Sequence, residues 1–320
     1  MLSVLHVVMY HYVRDLPNTP LPRLKGMLTS TFRQQLCALR EHYELATLES
    51  ALAFLQGTYT PARDLCLLTF DDGLKEHYTE VMPLLVEHDI QGVFFLITSC
   101  VEEQRVASVH MNHVLMATLD FVEYQQAFFQ RLYALTSLPS TMSQVDPHTA
   151  QRTYRWDTPE VAAFKYLFNF VLTAEVRDQV VRSLFTDYIA PEANFAPSWY
   201  VSWDEARAMQ DAGMVLGGHS HQHQPLATLS PVDLAWDVRT CQQLMHTNLH
   251  PQTVWPFSYP YGKADTFNTQ TITHLRALGV TCAFCTEVGS NSHGNDLFAI
   301  RRIDCKDAPG GKLERQEGEP

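Results

Sequence analysis

The sequence predicts an α/β protein built on a mostly parallel β-sheet, either open or closed into a barrel. Short apolar runs alternate with amphipathic stretches along most of the chain, which is the order that produces parallel sheets. The run "LCLLTF" at 65–70 is continuously apolar, as in a strand covered on both faces. The 320 residues are 46% hydrophobic and 18% charged, a composition that can bury a large core.

The elements follow one another in a regular order. Strands are predicted at 3–10, 65–70, 92–98, 214–218, 253–260, 281–287 and 297–303. Helices are predicted at 30–43, 77–89, 107–138, 159–188, 202–213, 231–248 and 267–278, with a Ser/Thr/Pro-containing segment at 139–158. Parallel strands end at one edge of their sheet, so the chemistry is expected at that edge.

Capping residues mark several helix starts. Ser202 with Glu205 three residues later has the pattern of a capping box. Ser230 stands before a proline that suits the first helical position. At the first helix, Ser30 or Thr31 is expected near the cap.

Composition and charge narrow the classes of function. The formal net charge of −12, without long runs of like charge, argues against nucleic acid or an anionic membrane surface as a partner. No run of about 18 apolar residues occurs, so no membrane span is predicted. The N-terminal stretch lacks the pattern of a signal peptide and is predicted to be a buried strand. Together with an odd number of cysteines, seven, this indicates a cytoplasmic protein with reduced thiols.

One cysteine pair raises the question of a zinc site. Cys282 and Cys285 form the only CxxC motif of the chain. A single pair within an apolar, strand-like run is more often core packing than a metal site. Core packing is therefore the favoured interpretation.

Two carboxylates end the buried run at 65–70. Asp71 and Asp72 stand directly before Gly73. Adjacent carboxylates beside an apolar strand repel one another and need a cation or strong donors nearby. The alternative is structural, because Asp-Asp-Gly is also a good turn and helix-cap sequence.

Three histidines follow a later strand. In "GGHSHQH", His219 and His223 share one face if the backbone turns helically, whereas His219 and His221 share a face only if it is extended. The residues by themselves leave both pairs open. In either case a histidine-rich turn beside a carboxylate pair suits a divalent metal with nitrogen and oxygen ligands and an open position for water.

A third strand end carries the aromatic turn "YPYG" at 259–262. A turn of proline, aromatic residue and glycine is rigid and can direct a backbone N–H towards a developing oxyanion. Such turns are also common packing features, so this stretch adds weight only together with the other two.

Together these stretches resemble the polysaccharide deacetylase family, also called the NodB-homology family or carbohydrate esterase family 4. The ordered motifs are "TFDDG" at 69–73, "HSHQH" at 219–223 and "YPYG" at 259–262. The resemblance extends from residue 4 to about residue 304. It implies a distorted (β/α) barrel in one domain, 1–320, with a mainly helical insertion at about 100–200.

The resemblance also implies a metal-dependent enzyme that hydrolyses the N-acetyl or another N-acyl amide of a sugar. Asp72, His219 and His223 would be the metal ligands, and Asp71 the general base. The backbone N–H of Tyr261 would help to stabilise the oxyanion. Zinc is the expected divalent metal, with iron, cobalt and nickel as alternatives.

Two family features are placed differently here. The late histidine that often serves as general acid is missing, because no histidine follows residue 293. A subgroup similar to the poly-N-acetylglucosamine deacetylases takes its acid from an N-terminal strand like "MYHYV", which assigns that role to His11. Its alternative is a buried strand histidine. Ser258 occupies the position of the arginine that usually orients the base, which leaves Arg301 or Arg302 as a replacement through space.

Several functions remain open at the level of sequence. The first is deacetylation of an intracellular sugar precursor of surface polysaccharide such as O-antigen. Others are an amidohydrolase acting on a non-sugar amide such as a ureide, and a non-catalytic carbohydrate-binding descendant. A His219–His221 ligand pair would instead indicate the amidohydrolase superfamily, whose motif order is the reverse.

In the insertion, His110 and His113 either border a substrate cleft or are polar residues on a helix surface. The sugar and the oligomeric state are not determined by the sequence.

Overall fold

Seven parallel strands form a closed barrel. The computed structural model describes residues 3–135 and 145–311. In this part of the chain the strands are β1 (Leu5–Tyr10), β2 (Val13–Arg14), β3 (Met27–Leu28), β4 (Glu44–Leu45), β5 (Leu65–Phe70), β6 (Gly92–Leu96), β7 (Val215–Gly218), β8 (Pro256–Ser258), β9 (Cys282–Val288) and β10 (Ile300–Asp304).

The barrel closes because β1 pairs on both of its edges. The strand order is β1-β10-β9-β8-β7-β6-β5, and β1 returns to β5 in parallel, with Leu5 opposite Leu65 and Tyr10 opposite Phe70. Strand β4 pairs with β5 beside this ring, and β2 and β3 form a separate two-stranded parallel sheet. The predicted (β/α) barrel is confirmed.

The strand predictions are confirmed in position but not in length. The run at 92–98 ends two residues early, because a helix begins at Thr98. The run at 253–260 narrows to Pro256–Ser258.

The helices surround the strands or belong to the insertion. They are α1 (Thr29–His42), α2 (Leu48–Leu55), α3 (Met82–Glu87), α4 (Thr98–Glu102), α5 (Ser108–Thr118), α6 (Phe121–Leu135), α7 (Pro147–Thr153), α8 (Pro159–Tyr166), α9 (Ala174–Tyr188), α10 (Glu192–Trp199), α11 (Trp203–Asp211), α12 (Pro231–Asn248) and α13 (Thr269–Ala277). Short 3-10 turns lie at Leu16–Asn18 and Leu226–Thr228, and π-helical turns at His77–Val81 and Leu167–Val171. None of the described helices is long and apolar enough to cross a membrane.

The helix caps predicted from the sequence are present at two helices and absent at a third. The capping box of Ser202 and Glu205 is present, and the Ser230 side chain accepts a hydrogen bond from the third residue of α12. Ser30 and Thr31 lie near the start of α1 as predicted, but neither caps it. The helix begins at Thr29, and Leu28 precedes it without a side-chain hydrogen bond to the helix.

The chain divides into two compact units. The barrel unit comprises Met1–Asp15, Gly26–Arg105 and Ala196–Pro320, and the helical unit Leu16–Lys25 and Val106–Phe195. The helical unit covers most of the predicted insertion, and Phe164 and Phe168 are buried in it. That the whole chain forms one domain stays a prediction. Residues 136–138 of a predicted helix and 139–144 of the predicted connection lie outside the described residues.

The barrel strands contribute side chains to two apolar clusters, because successive residues of a strand point to opposite faces. On β5, Leu65 and Leu67 belong to one cluster, and Cys66 and Leu68 to the other. The row of Leu65 and Leu67 continues by the same alternation to Thr69 and then to residue 71. Strand period therefore sets the direction in which the first carboxylate points.

The cysteine pair is part of the packing. Cys282 and Cys285 are both buried and lie in different apolar clusters. Burial raises the pKa of the Cys282 thiol to about 12, so this thiol stays protonated at neutral pH. The interpretation as core packing is confirmed, and both cysteines are free thiols.

Candidate active site

Three side chains from two strand ends converge on one point. The Oδ1 atom of Asp72 lies 3.4 Å from Nε2 of His219 and 3.5 Å from Nε2 of His223. All three residues are buried, and one ligand atom from each falls within 4.8 Å of the others. Among the described residues, this is the group of histidine, cysteine and carboxylate side chains that has the geometry to hold a metal ion.

The protonation of His219 fits metal binding. Its Nδ1 lies 2.7 Å from the backbone carbonyl of Ser258. Since a carbonyl only accepts, Nδ1 carries the hydrogen, and Nε2 presents its lone pair to the group. Burial by itself would lower the pKa of His219, but the charges of Asp71 and Asp72 raise it above the ordinary value. Without a cation the site attracts protons, and a divalent ion would satisfy the same negative charge.

His221 points away from the group. Its Nδ1 lies 3.0 Å from Oγ1 of Thr98 and its Nε2 lies 3.1 Å from Oε1 of Glu103. The structure thus brings together the outer pair of histidines and not the pair at 219 and 221.

The loop from His219 to His223 is fixed by hydrogen bonds from its backbone N–H groups to side-chain oxygens. Oγ of Ser220 accepts a hydrogen bond from the backbone N–H of His223 at 2.8 Å. The carboxylate of Asp237, buried on α12, accepts from the N–H groups of His221 and Gln222, both at 2.9 Å. Sequence reasoning missed Asp237, because its position inside a predicted helix gives no sign that it reaches back to the loop.

Backbone strain is concentrated at this site. Of the non-glycine residues with positive φ, four lie here, namely Asp72 at 83°, Ser220 at 61°, His223 at 54° and Tyr261 at 62°. Such conformations persist only where surrounding contacts enforce them, and they cluster at functional sites. The strained backbone aims consecutive side chains in directions that a regular strand or helix does not allow.

Asp71 binds an arginine from the far end of the chain. Nη1 and Nη2 of Arg302 donate to Oδ1 and Oδ2 of Asp71, both at 2.8 Å, and both residues are buried. Arg302 also donates to Oγ of Ser258 at 2.9 Å. Burial would raise the pKa of Asp71, but the charge and hydrogen bonds of Arg302 help to hold it below the ordinary value. Arg301 is exposed. Of the two candidate arginines, the structure places Arg302 at the carboxylate.

Loss of this arginine is expected to destabilise the fold. Replacing Arg302 by methionine leaves the carboxylate of Asp71 buried without its partner, which lowers the free energy of unfolding by about 3–5 kcal/mol. Arg301→Met is the matched control and should change it by no more than about 0.5 kcal/mol, because this neighbour is exposed. Denaturant unfolding of both variants measures the difference. Equal losses would contradict the role of the Arg302 pair.

His11 and Tyr261 border the same group. The side chain of His11 is 43% exposed, and its Nε2 lies 3.9 Å from Oδ2 of Asp71. This excludes the buried-strand interpretation of His11. The ring of Tyr261 lies 5.2 Å from that of His223, and its carbonyl accepts a hydrogen bond from Oγ1 of Thr286 at 2.8 Å. Every predicted site residue therefore lies at one edge of the barrel, where β1, β5, β7 and β8 end.

The histidines of the insertion belong to the helical unit. His110 and His113 lie on α5 with ring centroids 6.3 Å apart, and His110 is buried. Their place at the border of a substrate cleft stays a prediction.

The comparisons with known proteins agree with the barrel fold. The sequence matches the polysaccharide deacetylase family at residues 58–145 and 167–283. Because the match covers well over half of the chain, the protein belongs to this family. The family supports a hydrolytic enzyme that deacetylates sugars. No curated protein sequence matches the chain significantly.

Solved structures share the fold at low sequence identity. The deacetylase PplD of Streptococcus pyogenes, in complex with acetate, is 16% identical, with a TM-score of 0.58 over 95% of this chain and 93% of that one. IcaB of Ammonifex degensii is 18% identical, with a TM-score of 0.58 over 94% and 91%. The deacetylase domain of BpsB from Bordetella bronchiseptica is 17% identical, with a TM-score of 0.54 over 94% and 95%. These similarities support the fold.

Proposed function

We propose that the protein is a metal-dependent hydrolase that removes the N-acetyl group, or another N-acyl group, from a sugar. The observation that carries the proposal is the buried group of Asp72, His219 and His223 beside the arginine-paired Asp71. Two histidines and one carboxylate form the ligand set of catalytic zinc sites that keep a position open for water. Zinc is therefore the proposed metal, with iron, cobalt and nickel as alternatives.

The residues of this chain take distinct roles in the proposed reaction. A divalent ion held by Asp72, His219 and His223 would polarise the amide carbonyl and make water more acidic. Asp71 is kept ionised by Arg302, so it can take a proton from the attacking water. The backbone N–H of Tyr261 would stabilise the carbonyl oxygen as it gains charge. His11 would return a proton to the departing amine, since it is exposed beside the base.

The alternatives differ in what the site should do. A non-catalytic carbohydrate-binding descendant would be expected to lack a ligand or the base, whereas Asp71, Asp72, His219 and His223 all meet here. Hydrolysis of a ureide or another non-sugar amide would use the same residues, so only the identity of the substrate distinguishes this hypothesis from sugar deacetylation. The cytoplasmic location and the role in precursors such as those of O-antigen stay predictions of the sequence.

Metal analysis of the purified protein, followed by amine-release assays, tests the proposal. The substrates are N-acetylated sugar nucleotides, free chito-oligomers and ureides. Metal near one equivalent with amine release from a sugar is the expected result. Release from ureides alone would transfer the proposal to non-sugar amides. Bound metal without release from any substrate would contradict hydrolysis.

The role of His11 is tested by its pH profile. A general acid must be protonated, so kcat/KM of the wild type is expected to fall on the basic side of its optimum. In His11→Gln, kcat should drop and this basic limb should disappear, because glutamine does not titrate. A basic limb unchanged in His11→Gln would assign proton donation to another group.

A further inference from the structure

The turn that follows the carboxylate pair binds the segment that carries His11. Nε2 of His77 lies 2.9 Å from the backbone carbonyl oxygen of His11. Its neighbour Glu76 forms an ion pair with Arg14 at 2.5 Å. Two consecutive residues of this turn, five and six positions after Asp71, therefore contact the segment around the start of β2. Glu76 binds the side chain of Arg14, and His77 binds the backbone of His11.

His77 is an unusual residue for the place it occupies. Its side chain is completely buried, with the ring centroid 5.7 Å from that of Phe70 and 5.6 Å from that of Phe94. Burial lowers the pKa of His77 to about 4, so the ring is neutral at neutral pH. Because the carbonyl of His11 only accepts, the single ring hydrogen of His77 is on Nε2 and is donated to it.

The other ring nitrogen of His77 has no hydrogen-bond partner within the described residues. This nitrogen, Nδ1, is buried. A buried polar atom without a partner destabilises a fold and calls for an explanation beyond packing. An apolar side chain would fill the space beside the two stacked phenylalanine rings without that penalty. What the imidazole adds over such a side chain is the hydrogen bond to His11.

That hydrogen bond matters because the side chain of His11 is only partly covered by its surroundings. The ring is 43% exposed, and Nε2 is 3.9 Å from the carboxylate of Asp71. The position of a partly exposed ring depends strongly on the backbone that carries it. His77 anchors this backbone at the residue itself. The turn that starts from the carboxylates thus also sets where His11 stands relative to them.

We propose that His77 is a positioning residue, whose hydrogen bond to the carbonyl of His11 fixes the backbone from which the His11 ring reaches the substrate beside Asp71. The inference rests on the proposed function for its catalytic consequence. The structural part of the inference, that His77 positions His11, does not depend on the proposed function, because the position of His11 is measurable without turnover.

Two substitutions at residue 77 separate the hydrogen bond from the packing. His77→Leu keeps an apolar body but loses the donor, so kcat should fall by a factor on the order of 10², as for a small misplacement of a reacting group. KM should change little, and the basic limb of the pH profile should weaken without disappearing, because His11 is still present. His77→Gln places an amide N–H near the position of Nε2 and should restore most of kcat.

The control is a buried residue of the same turn whose apolar side chain cannot donate a hydrogen bond to His11. Val81 is fully buried, and Val81→Ala should lower thermal stability while kcat and the pH profile stay at wild-type values. If His77→Leu matches the wild type in kcat, or if His77→Gln is no better than His77→Leu, the positioning role is overturned. A loss of kcat in Val81→Ala as large as that in His77→Leu would also overturn it, because general destabilisation would then explain both.

A measurement without substrate keeps the inference apart from the proposed function. In protein with ¹³C-labelled histidine, the ring signals of His11 are identified by their loss in His11→Gln. They should shift in His77→Leu and return towards wild-type positions in His77→Gln. Unchanged His11 signals in His77→Leu overturn the inference. If the wild type releases amine from no substrate, the proposed function fails, and these spectra still decide the role of His77.

Discussion

Asp71→Asn is expected to lower kcat by a factor on the order of 10² to 10⁴, the range that a positioned general base supplies. The asparagine side chain can still accept a hydrogen bond from Arg302, so the fold is expected to persist. It cannot take a proton from water. Amine-release kinetics, with circular dichroism for the fold, measure the effect.

Bound metal is the internal control for this variant. Asp71 is not a member of the group formed by Asp72, His219 and His223, so Asp71→Asn should retain the wild-type metal content. Asp72→Asn, the change at the neighbouring position, should lose metal and turnover together. Normal turnover in Asp71→Asn would remove this residue from the mechanism.

His223→Ala is expected to weaken metal binding by more than about 10²-fold. Loss of residues that only support ligands already lowers metal affinity by about 10-fold to 100-fold, and His223 presents Nε2 to the group itself. The purified variant should therefore hold well under the metal content of the wild type. Elemental analysis after dialysis against a fixed free metal concentration gives the comparison.

His221→Ala is the matched control for the metal site. It removes a histidine from the same loop, but one whose ring nitrogens face Thr98 and Glu103. Metal content should stay near that of the wild type, with some loss of stability because these contacts disappear. The reverse pattern, with metal lost in His221→Ala and kept in His223→Ala, would favour ligation by His219 and His221.

The arginine shows how far the pattern of residues could be taken. The sequence left Arg301 and Arg302 as equal candidates. Strand alternation puts Arg302 on the same face as Ile300. Because the neighbouring strands β1 and β9 carry buried apolar residues on both faces, the pattern does not say which face is the interior. The contact of Arg302 with Asp71 joins residues 231 positions apart. Only closure of the barrel through β1, β5 and β10 brings them together.

The sequence offers even less indication of the residues that support the site. Asp237 lies within a predicted helix, and His77 within another, so both resemble ordinary helix positions. Their roles depend on which backbone groups they meet, namely the N–H groups after His219 and the carbonyl of His11. No local period or spacing encodes a contact of this kind.

The chain alone predicted the order of elements and the strand ends that carry the chemistry, because hydrophobic period and short motifs are local properties. It left two histidine pairs open, and the family resemblance chose His219 and His223. The choice of Arg302, the turning away of His221 and the support from Asp237 and His77 required the folded barrel. Each depends on contacts between distant segments and on strained backbone at Asp72, Ser220, His223 and Tyr261, which the surrounding structure, and no local preference, maintains.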